Sequence, residues 1–165
     1  MRAVRATAGA LGLAAILLAT CAVQAAPSVQ LRLTPAEIAA LGKGGAGPGS
    51  SGVAGIQTSV LAGDPTKPGP YTIRLWAPAN TRIAAHSHRD ERTAVVVSGT
   101  WYFGYGDKAD EAKVKALPPG SFYTEPAGAP HFALTRDEPV VVYIFGQGPT
   151  DTVYVDPAMA PKPKP

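Results

Sequence analysis

The chain has 165 residues, with 15 basic and 12 acidic side chains, and this length accommodates one ordinary domain. Hydrophobic residues make up 45% of the sequence, which excludes a disordered chain. The 18 glycines and 17 prolines favour short strands joined by turns over a helical bundle. The single cysteine excludes both a disulfide framework and a zinc site made of several thiolates.

Residues 1–25 are predicted to be a secretory signal peptide. Arg2 and Arg5 precede an apolar run over residues 8–19. This run of about twelve residues is too short to cross a bilayer. Small residues at 23 and 25 match the rule for signal-peptidase cleavage before the next residue. The alternative is a buried N-terminal helix.

Removal of this segment changes the expected charge and compartment. It takes away two arginines and no acid, which leaves 13 basic and 12 acidic residues and no Lys/Arg cluster for nucleic acid. The remaining chain has no thiol, which suits the oxidising periplasm or the extracellular space. We therefore expect a periplasmic or secreted protein with no stable membrane span. Lipid attachment through Cys21 is the alternative.

Residues 26–52 are predicted to form one short helix and a linker. Thr34 is a helix cap, Pro35 suits the first helical position, and Glu37 completes a capping box. Residues 42–52 consist mainly of glycine and serine and have little to bury, so we expect a flexible segment.

Residues 53–156 contain eight or nine short strand-like runs separated by glycine, proline and aspartate. The runs are 56–61, 71–76, 81–85, 93–97, 100–105, 121–124, 132–135, 140–145 and 153–155. The first two are predicted to form one hairpin, and the two that flank Ser98-Gly99 a second. Residues 107–115 form a polar, exposed insertion, and residues 157–165 are expected to be disordered. This pattern predicts an all-β sandwich or small barrel that encloses one small ligand.

All three histidines fall into one pattern. His86 and His88 are separated by one residue, so in a strand both side chains point to the same face. Two imidazoles on one face are typical of a metal site, and His131 on a later strand would complete a set of three ligands. The alternative is three unrelated histidines.

Two segments around these histidines resemble the motifs of the cupin superfamily. Residues 80–99 read N-x5-H-x-H-x3-R-x6-G, and residues 120–135 read G-x5-P-x-G-x2-H-x3-T. Seven of the ten motif positions match, including every histidine. The resemblance covers about residues 56–147. It implies a cupin-type jelly-roll β-barrel, preceded here by one short N-terminal helix.

The departures from the motifs bear on the site. Asn80 replaces a glycine and tolerates the positive φ of a turn. Arg92 replaces the usual glutamate ligand, and a cation repels a divalent metal instead of binding it. In one interpretation Glu91 becomes the fourth ligand. In the other, three histidines and water hold the metal beside Arg92, similar to the thiol dioxygenases of this superfamily. Glu125 is a further candidate ligand, or a carboxylate paired with Arg92.

The resemblance implies one divalent transition metal, which is Fe, Mn, Ni, Cu or Zn. The guanidinium of Arg92 would suit a substrate anion. The first hypothesis is thus an exported metal-dependent enzyme, either dioxygenase-like or isomerase/decarboxylase-like, acting on a small anionic molecule. The alternatives are a non-catalytic module that binds a small ligand or metal, and a scaffold with a vestigial site.

The valine runs 95–97 and 140–142 are apolar on both faces of their strands. A homodimer, in which a partner sheet covers the outer face, is one explanation. Packing by the N-terminal segment of the same chain is the other.

Overall fold

The computed structural model describes residues 30–41, 44–45 and 47–162. The predicted signal peptide, residues 1–25 with Cys21, lies outside these ranges. Among the described residues, no helix has the length and apolar character needed to span a membrane.

The described residues form one short helix and ten strands, in agreement with the predicted all-β class. The helix is α1 (Pro35–Ala40). The strands are β1 (Gln57–Ala62), β2 (Gly69–Ala77), β3 (Arg82–Ser87), β4 (Arg92–Ser98), β5 (Trp101–Tyr105), β6 (Lys115–Leu117), β7 (Phe122–Glu125), β8 (His131–Leu134), β9 (Val140–Gly148) and β10 (Val153–Tyr154). They form two five-stranded antiparallel sheets, with the orders β1-β2-β9-β4-β7 and β10-β3-β8-β5-β6.

The helix begins where its sequence predicts. The Thr34 hydroxyl accepts the backbone N–H of Glu37, and the Glu37 carboxylate accepts the backbone N–H of Thr34 at 2.7 Å. Both halves of the capping box are therefore present. No residue of α1 is buried, so the helix contributes little to the core.

The hydrophobic core lies between the two sheets. Alternate residues of β2 are buried over most of its length, as are those of β9 up to Ile144, which follows from the two-residue period of a strand. Ile73, Ala77, Val140 and Val142 are fully buried, and the cross-strand register brings Leu75 of β2 opposite Val142 of β9. This register places the same faces of these two neighbouring strands on the core.

One predicted hairpin is confirmed and the other is wrong. β1 and β2 pair as the turn signal predicts. β4 and β5 lie in different sheets, because the chain crosses between the sheets at Gly99. Gly99 has φ +70°, and a Cβ atom there would clash with the carbonyl oxygen of Pro139. The glycine thus serves a crossing between sheets, where a hairpin turn was predicted.

Two segments outside the predicted strands are more ordered than their composition indicates. The polar insertion contains a 3-10 turn, Glu111–Lys113, which leads into the unpredicted strand β6. At the start of the predicted disordered tail, Pro157–Met159 form a second 3-10 turn capped by Asp156. Short polar caps supply local hydrogen bonds that a hydrophobicity pattern does not reveal.

Candidate metal centre

The histidines converge because of an irregularity in β3. His86 lies directly opposite His131 of β8, and a β-bulge between Ile83 and His86 inserts one extra residue into β3. Before the bulge the odd-numbered residues Ile83 and Ala85 are buried, and after it the even-numbered residues His86 and His88 are buried. The bulge turns both imidazoles into the space between the sheets. One ring nitrogen from each of the three histidines lies within 4.8 Å of the others.

The second nitrogen of each imidazole is hydrogen-bonded to a backbone carbonyl oxygen. The Nδ1 atoms of His86, His88 and His131 lie 2.8, 2.5 and 3.2 Å from the carbonyl oxygens of Ala84, Asp151 and Ala129, respectively. A carbonyl oxygen only accepts, so each Nδ1 carries the proton and each Nε2 keeps its lone pair. Among the described residues, the buried Nε2 atoms of His88 and His131 have no hydrogen-bond partner.

Burial lowers the pKa of all three imidazoles. The pKa of His86 falls to about 4, with a further contribution from the neighbouring His131. The pKa of His88 falls to about 2, with a further contribution from the charge of Arg92. The pKa of His131 is also lowered by burial. All three rings are therefore neutral at pH 7, which is the form that binds metals.

A buried ion pair lies beside the histidines. Arg92 of β4 is directly opposite Glu125 of β7, and each is only 3% exposed. The Nε atom of Arg92 donates to Glu125 Oε2 at 2.6 Å, and Nη2 contacts the same oxygen. Glu125 Oε1 lies 3.6 Å from Nε2 of His131, and Oε2 lies 3.9 Å from Nε2 of His88. Burial raises the pKa of Glu125, but the guanidinium of Arg92 and the neighbouring His131 and His88 together outweigh this effect, and the pKa falls to about 2.

Glu91, the other candidate carboxylate ligand, lies outside this group. Its side chain is exposed, whereas that of the next residue, Arg92, is buried. Because adjacent residues at a strand end point to opposite sides, Arg92 and Glu91 cannot both face the histidines. The nearby carboxylate comes instead from Glu125, on the neighbouring strand.

Arg92 lines the cavity beside the histidines, and its guanidinium is already occupied. Besides the contacts with Glu125, its Nη1 atom donates to the carbonyl oxygen of Gly49 at 2.9 Å. Gly49 belongs to the predicted flexible linker, and Ser50 and Ser51 beside it are buried. We call residues 47–53 the strap. The sequence contained no signal that these backbone groups would lie against the site.

The space beside the histidines is small. A cavity of about 20 Å³ is lined by His86, His131, Arg92 and Glu125, with Gly49 and Ser51 of the strap on one side. This volume is enough for one ion or one water molecule. Three neutral Nε2 donors and an ionised carboxylate are ligands that divalent transition metals accept. The residues present therefore fit a single metal ion.

Comparisons with known proteins support the fold. Neither a protein-family model nor a curated protein sequence matches this chain. The polyketide cyclase RemF from Streptomyces resistomycificus is 15% identical over 81% of this chain and 90% of that chain, with a TM-score of 0.61. An RmlC-like cupin from Shewanella frigidimarina NCIMB 400 is 14% identical over 73% of this chain and 92% of that chain, with a TM-score of 0.53.

A third similar structure is larger than this chain. It is described as belonging to the DMSP lyases RdDddP and RnDddQII, and it is 21% identical over 57% of this chain, with a TM-score of 0.48. The alignment spans only 48% of that chain. The two fuller alignments, together with the two facing antiparallel sheets, lead to one conclusion: this chain has the cupin fold.

Proposed function

We propose that this chain is a metal-dependent cupin enzyme that acts on a small molecule. Its metal would be held by the Nε2 atoms of His86, His88 and His131. The observation that carries the proposal is the common tautomer of the three imidazoles. Each Nδ1 is held by a backbone carbonyl, so the three Nε2 lone pairs are available before any metal binds.

We further propose Glu125 as the carboxylate ligand. The cupin motif has a glutamate at the position that Arg92 occupies here, and Glu125 is the direct cross-strand neighbour of Arg92. The carboxylate near the histidines thus comes from the strand next to the one that carries it in the motif. Arg92 binds mainly Oε2 of Glu125 and leaves Oε1 on the side of His131. In this arrangement Arg92 is a positioning residue that keeps the carboxylate ionised and oriented.

A metal at this site supplies Lewis-acid polarisation, activation of water or redox chemistry, according to its identity. The protein's own contribution is a dry, enclosed donor set, since all four proposed ligands are buried. Dioxygenase-like chemistry and isomerase- or decarboxylase-like chemistry both fit this set.

Metal analysis of the purified protein tests the proposal. We expect about one equivalent of a divalent transition metal per chain after purification without chelators, by elemental mass spectrometry. His131→Ala should lose the metal. Glu125→Gln should weaken binding, whereas Glu91→Gln, a matched change at an exposed carboxylate, should not. Full metal content in His131→Ala, with circular dichroism confirming an intact fold, would contradict the assignment.

The small cavity favours a second candidate function, which is metal or ligand binding without catalysis. A space of about 20 Å³ admits no substrate of several heavy atoms in the conformation observed. Turnover separates the two candidates. Oxygen consumption, or conversion of small carboxylates by the metal-loaded protein, supports the enzyme, and stoichiometric binding without turnover supports the binding module.

Export and self-association also belong to the proposal. Cleavage after residue 25 would release the chain into the periplasm or the medium, and N-terminal sequencing of the processed protein tests this. On the outer face of the first sheet, Val97, Phe122 and Phe145 are 42%, 60% and 41% exposed. Such a patch suits a second copy of the chain. Sedimentation of the wild type and of Phe122→Asp tests for a homodimer.

A further inference from the structure

The strap separates two spaces of very different size. On its inner side lies the cavity of about 20 Å³ beside the histidines. On its outer side the described residues line a groove of about 870 Å³, which includes Thr152, Tyr154 and Pro161. Ser51 lines both spaces. Sites for small molecules usually measure about 300–1,000 Å³, so the groove has the size of a ligand site and the inner cavity does not.

The strap is held through three consecutive backbone carbonyls. The carbonyl oxygens of Gly49, Ser50 and Ser51 accept hydrogen bonds from Arg92 Nη1 (2.9 Å), Thr152 Oγ1 (2.9 Å) and the Tyr154 hydroxyl (2.7 Å), respectively. Three of its residues are glycines and two are serines, so apart from Val53 at its end, which packs against the core, its side chains place little apolar surface there. A segment held in this way opens more readily than one anchored by packed apolar side chains.

Arg92 connects the strap to the metal centre. Its Nε and Nη2 atoms are used by Glu125, whereas Nη1 donates to the neutral carbonyl of Gly49. An ionised acceptor makes a stronger hydrogen bond with a guanidinium than a neutral carbonyl does. A small anion that reached Nη1 would therefore compete well with Gly49. Gly49 and Arg92 line the inner cavity, and Ser50, the residue after Gly49, lines the groove.

We infer that the strap is a displaceable cover over the metal centre, and that a small carboxylate takes the place of the Gly49 carbonyl on Arg92 when it opens. Opening would join the groove to the inner cavity and form one site of substrate size. This inference rests on the proposed function and adds the substrate class and its route of access. It assigns Arg92 a role in anion binding that the closed conformation does not display.

Hydrogen-exchange mass spectrometry of the metal-loaded protein tests the cover. Tyr154→Phe deletes the hydroxyl that holds Ser51 and retains a ring that stacks on His86 at 5.5 Å. Loss of one such hydrogen bond should speed exchange in peptides covering the strap by about three- to tenfold. Tyr143→Phe on β9 is the matched control and should leave strap exchange unchanged. Protection of β9 against hydrogen exchange should be the same in the wild type and in both variants.

A pair of small molecules tests whether an anion displaces the strap from Arg92. Succinate should accelerate strap exchange in the wild type, and its uncharged diamide should not. Equal effects of the two probes would overturn the anion assignment, and a strap as protected as β9 in both the wild type and Tyr154→Phe would overturn the cover. Metal content measured on the same samples keeps the two proposals apart. Strap exchange reports opening even in a protein that binds no metal, and a loaded protein with a static strap contradicts this inference alone.

Discussion

The two ends of the space between the sheets are built on opposite principles. At one end Ala77, Val140 and Val142, on two neighbouring strands of the first sheet, are fully buried apolar residues. At the other end, the same sheets bury three imidazoles and the Arg92–Glu125 pair. Burial of apolar groups stabilises a fold directly, whereas buried charges stabilise it only when they are fully paired. The apolar end therefore stabilises the fold, whereas the polar end costs stability and forms a binding site.

Removal of one charge at the polar end should have the largest effect on the stability of the fold. Arg92→Met leaves the carboxylate of Glu125 buried without its cation and removes the donor to Gly49. Breaking a buried ion pair in this way costs about 3–5 kcal/mol of unfolding free energy. Urea unfolding of the metal-free protein measures the loss.

The double variant Arg92→Met with Glu125→Leu is the control for that prediction. It removes both charges, so it should recover much of the stability lost in the single variant. If the double variant were as unstable as the single variant, the cost would lie in packing or in the strap, and not in the unpaired carboxylate.

The pH dependence of stability should also arise at the polar end. An unfolded histidine has a pKa near 6.5, whereas the pKa of His86 is about 4 and that of His88 about 2 in the folded protein. As the pH falls below about 6.5 the unfolded chain binds protons that the folded chain does not. The free energy of unfolding should therefore decrease below about pH 6.5, by up to about 1.4 kcal/mol per pH unit for each histidine.

Chemical unfolding of the metal-free protein between about pH 7 and pH 5 measures this slope. Below about pH 4.5, protonation of Glu125 in the unfolded state acts in the same direction, because the pKa of Glu125 in the folded protein is about 2. His86→Gln should reduce the slope. A wild-type slope that is flat would show that the histidines are protonated in the folded state.

The sequence predicted the components of the polar end better than their arrangement. The H-x-H spacing and the two motifs identified all three histidines, and Asn80 has the expected positive φ of 58°. Strand alternation alone could not reveal the bulge before His86, because a bulge depends on pairing with a distant strand. For the same reason the sequence could not decide between Glu91 and Glu125 as the carboxylate near the histidines.

The strap and the sheet crossing were missed because both depend on long-range backbone contacts. A glycine-rich stretch has no hydrophobic pattern, so its composition predicts a flexible linker. Its carbonyls nevertheless meet donors from Arg92, Thr152 and Tyr154, which lie 43 to 103 residues away. Gly99 has the positive φ that a hairpin turn requires, but here the same conformation lets the chain cross from one sheet to the other. Turn residues indicate the local backbone geometry, but they do not indicate which sheet the next strand joins.

A cavity at the apolar end should affect stability without affecting the site. Val142→Ala removes two methyl groups from a fully buried position opposite Leu75. We expect a loss of about 1–3 kcal/mol in unfolding free energy. Metal stoichiometry and the pH slope should remain those of the wild type, because Val142 does not itself line the cavity beside the histidines. A parallel loss of metal affinity would show that the two ends are coupled.

The smallest effect on stability is expected in a hydrogen-bond network at the polar end, behind His88. The Tyr71 hydroxyl donates to Asp90 at 2.7 Å, and the other oxygen of Asp90 accepts from Thr150 at 2.6 Å. Thr150 precedes Asp151, whose carbonyl holds the Nδ1 atom of His88. Tyr71→Phe should cost about 1 kcal/mol, since one hydrogen bond is lost and Asp90 keeps the other.

The effect of Tyr71→Phe on metal binding decides what this network does. Residues behind a metal ligand typically alter affinity by about 10- to 100-fold when they contact the ligand directly. Tyr71 acts on His88 through Asp90 and two further residues, so a decrease in affinity of less than about tenfold is expected. Competition titration with a chromophoric chelator measures it, with Tyr143→Phe as the matched control. A lower affinity at nearly unchanged stability would mean that the network orients His88, whereas a loss of stability alone would mean that it only supports the loop.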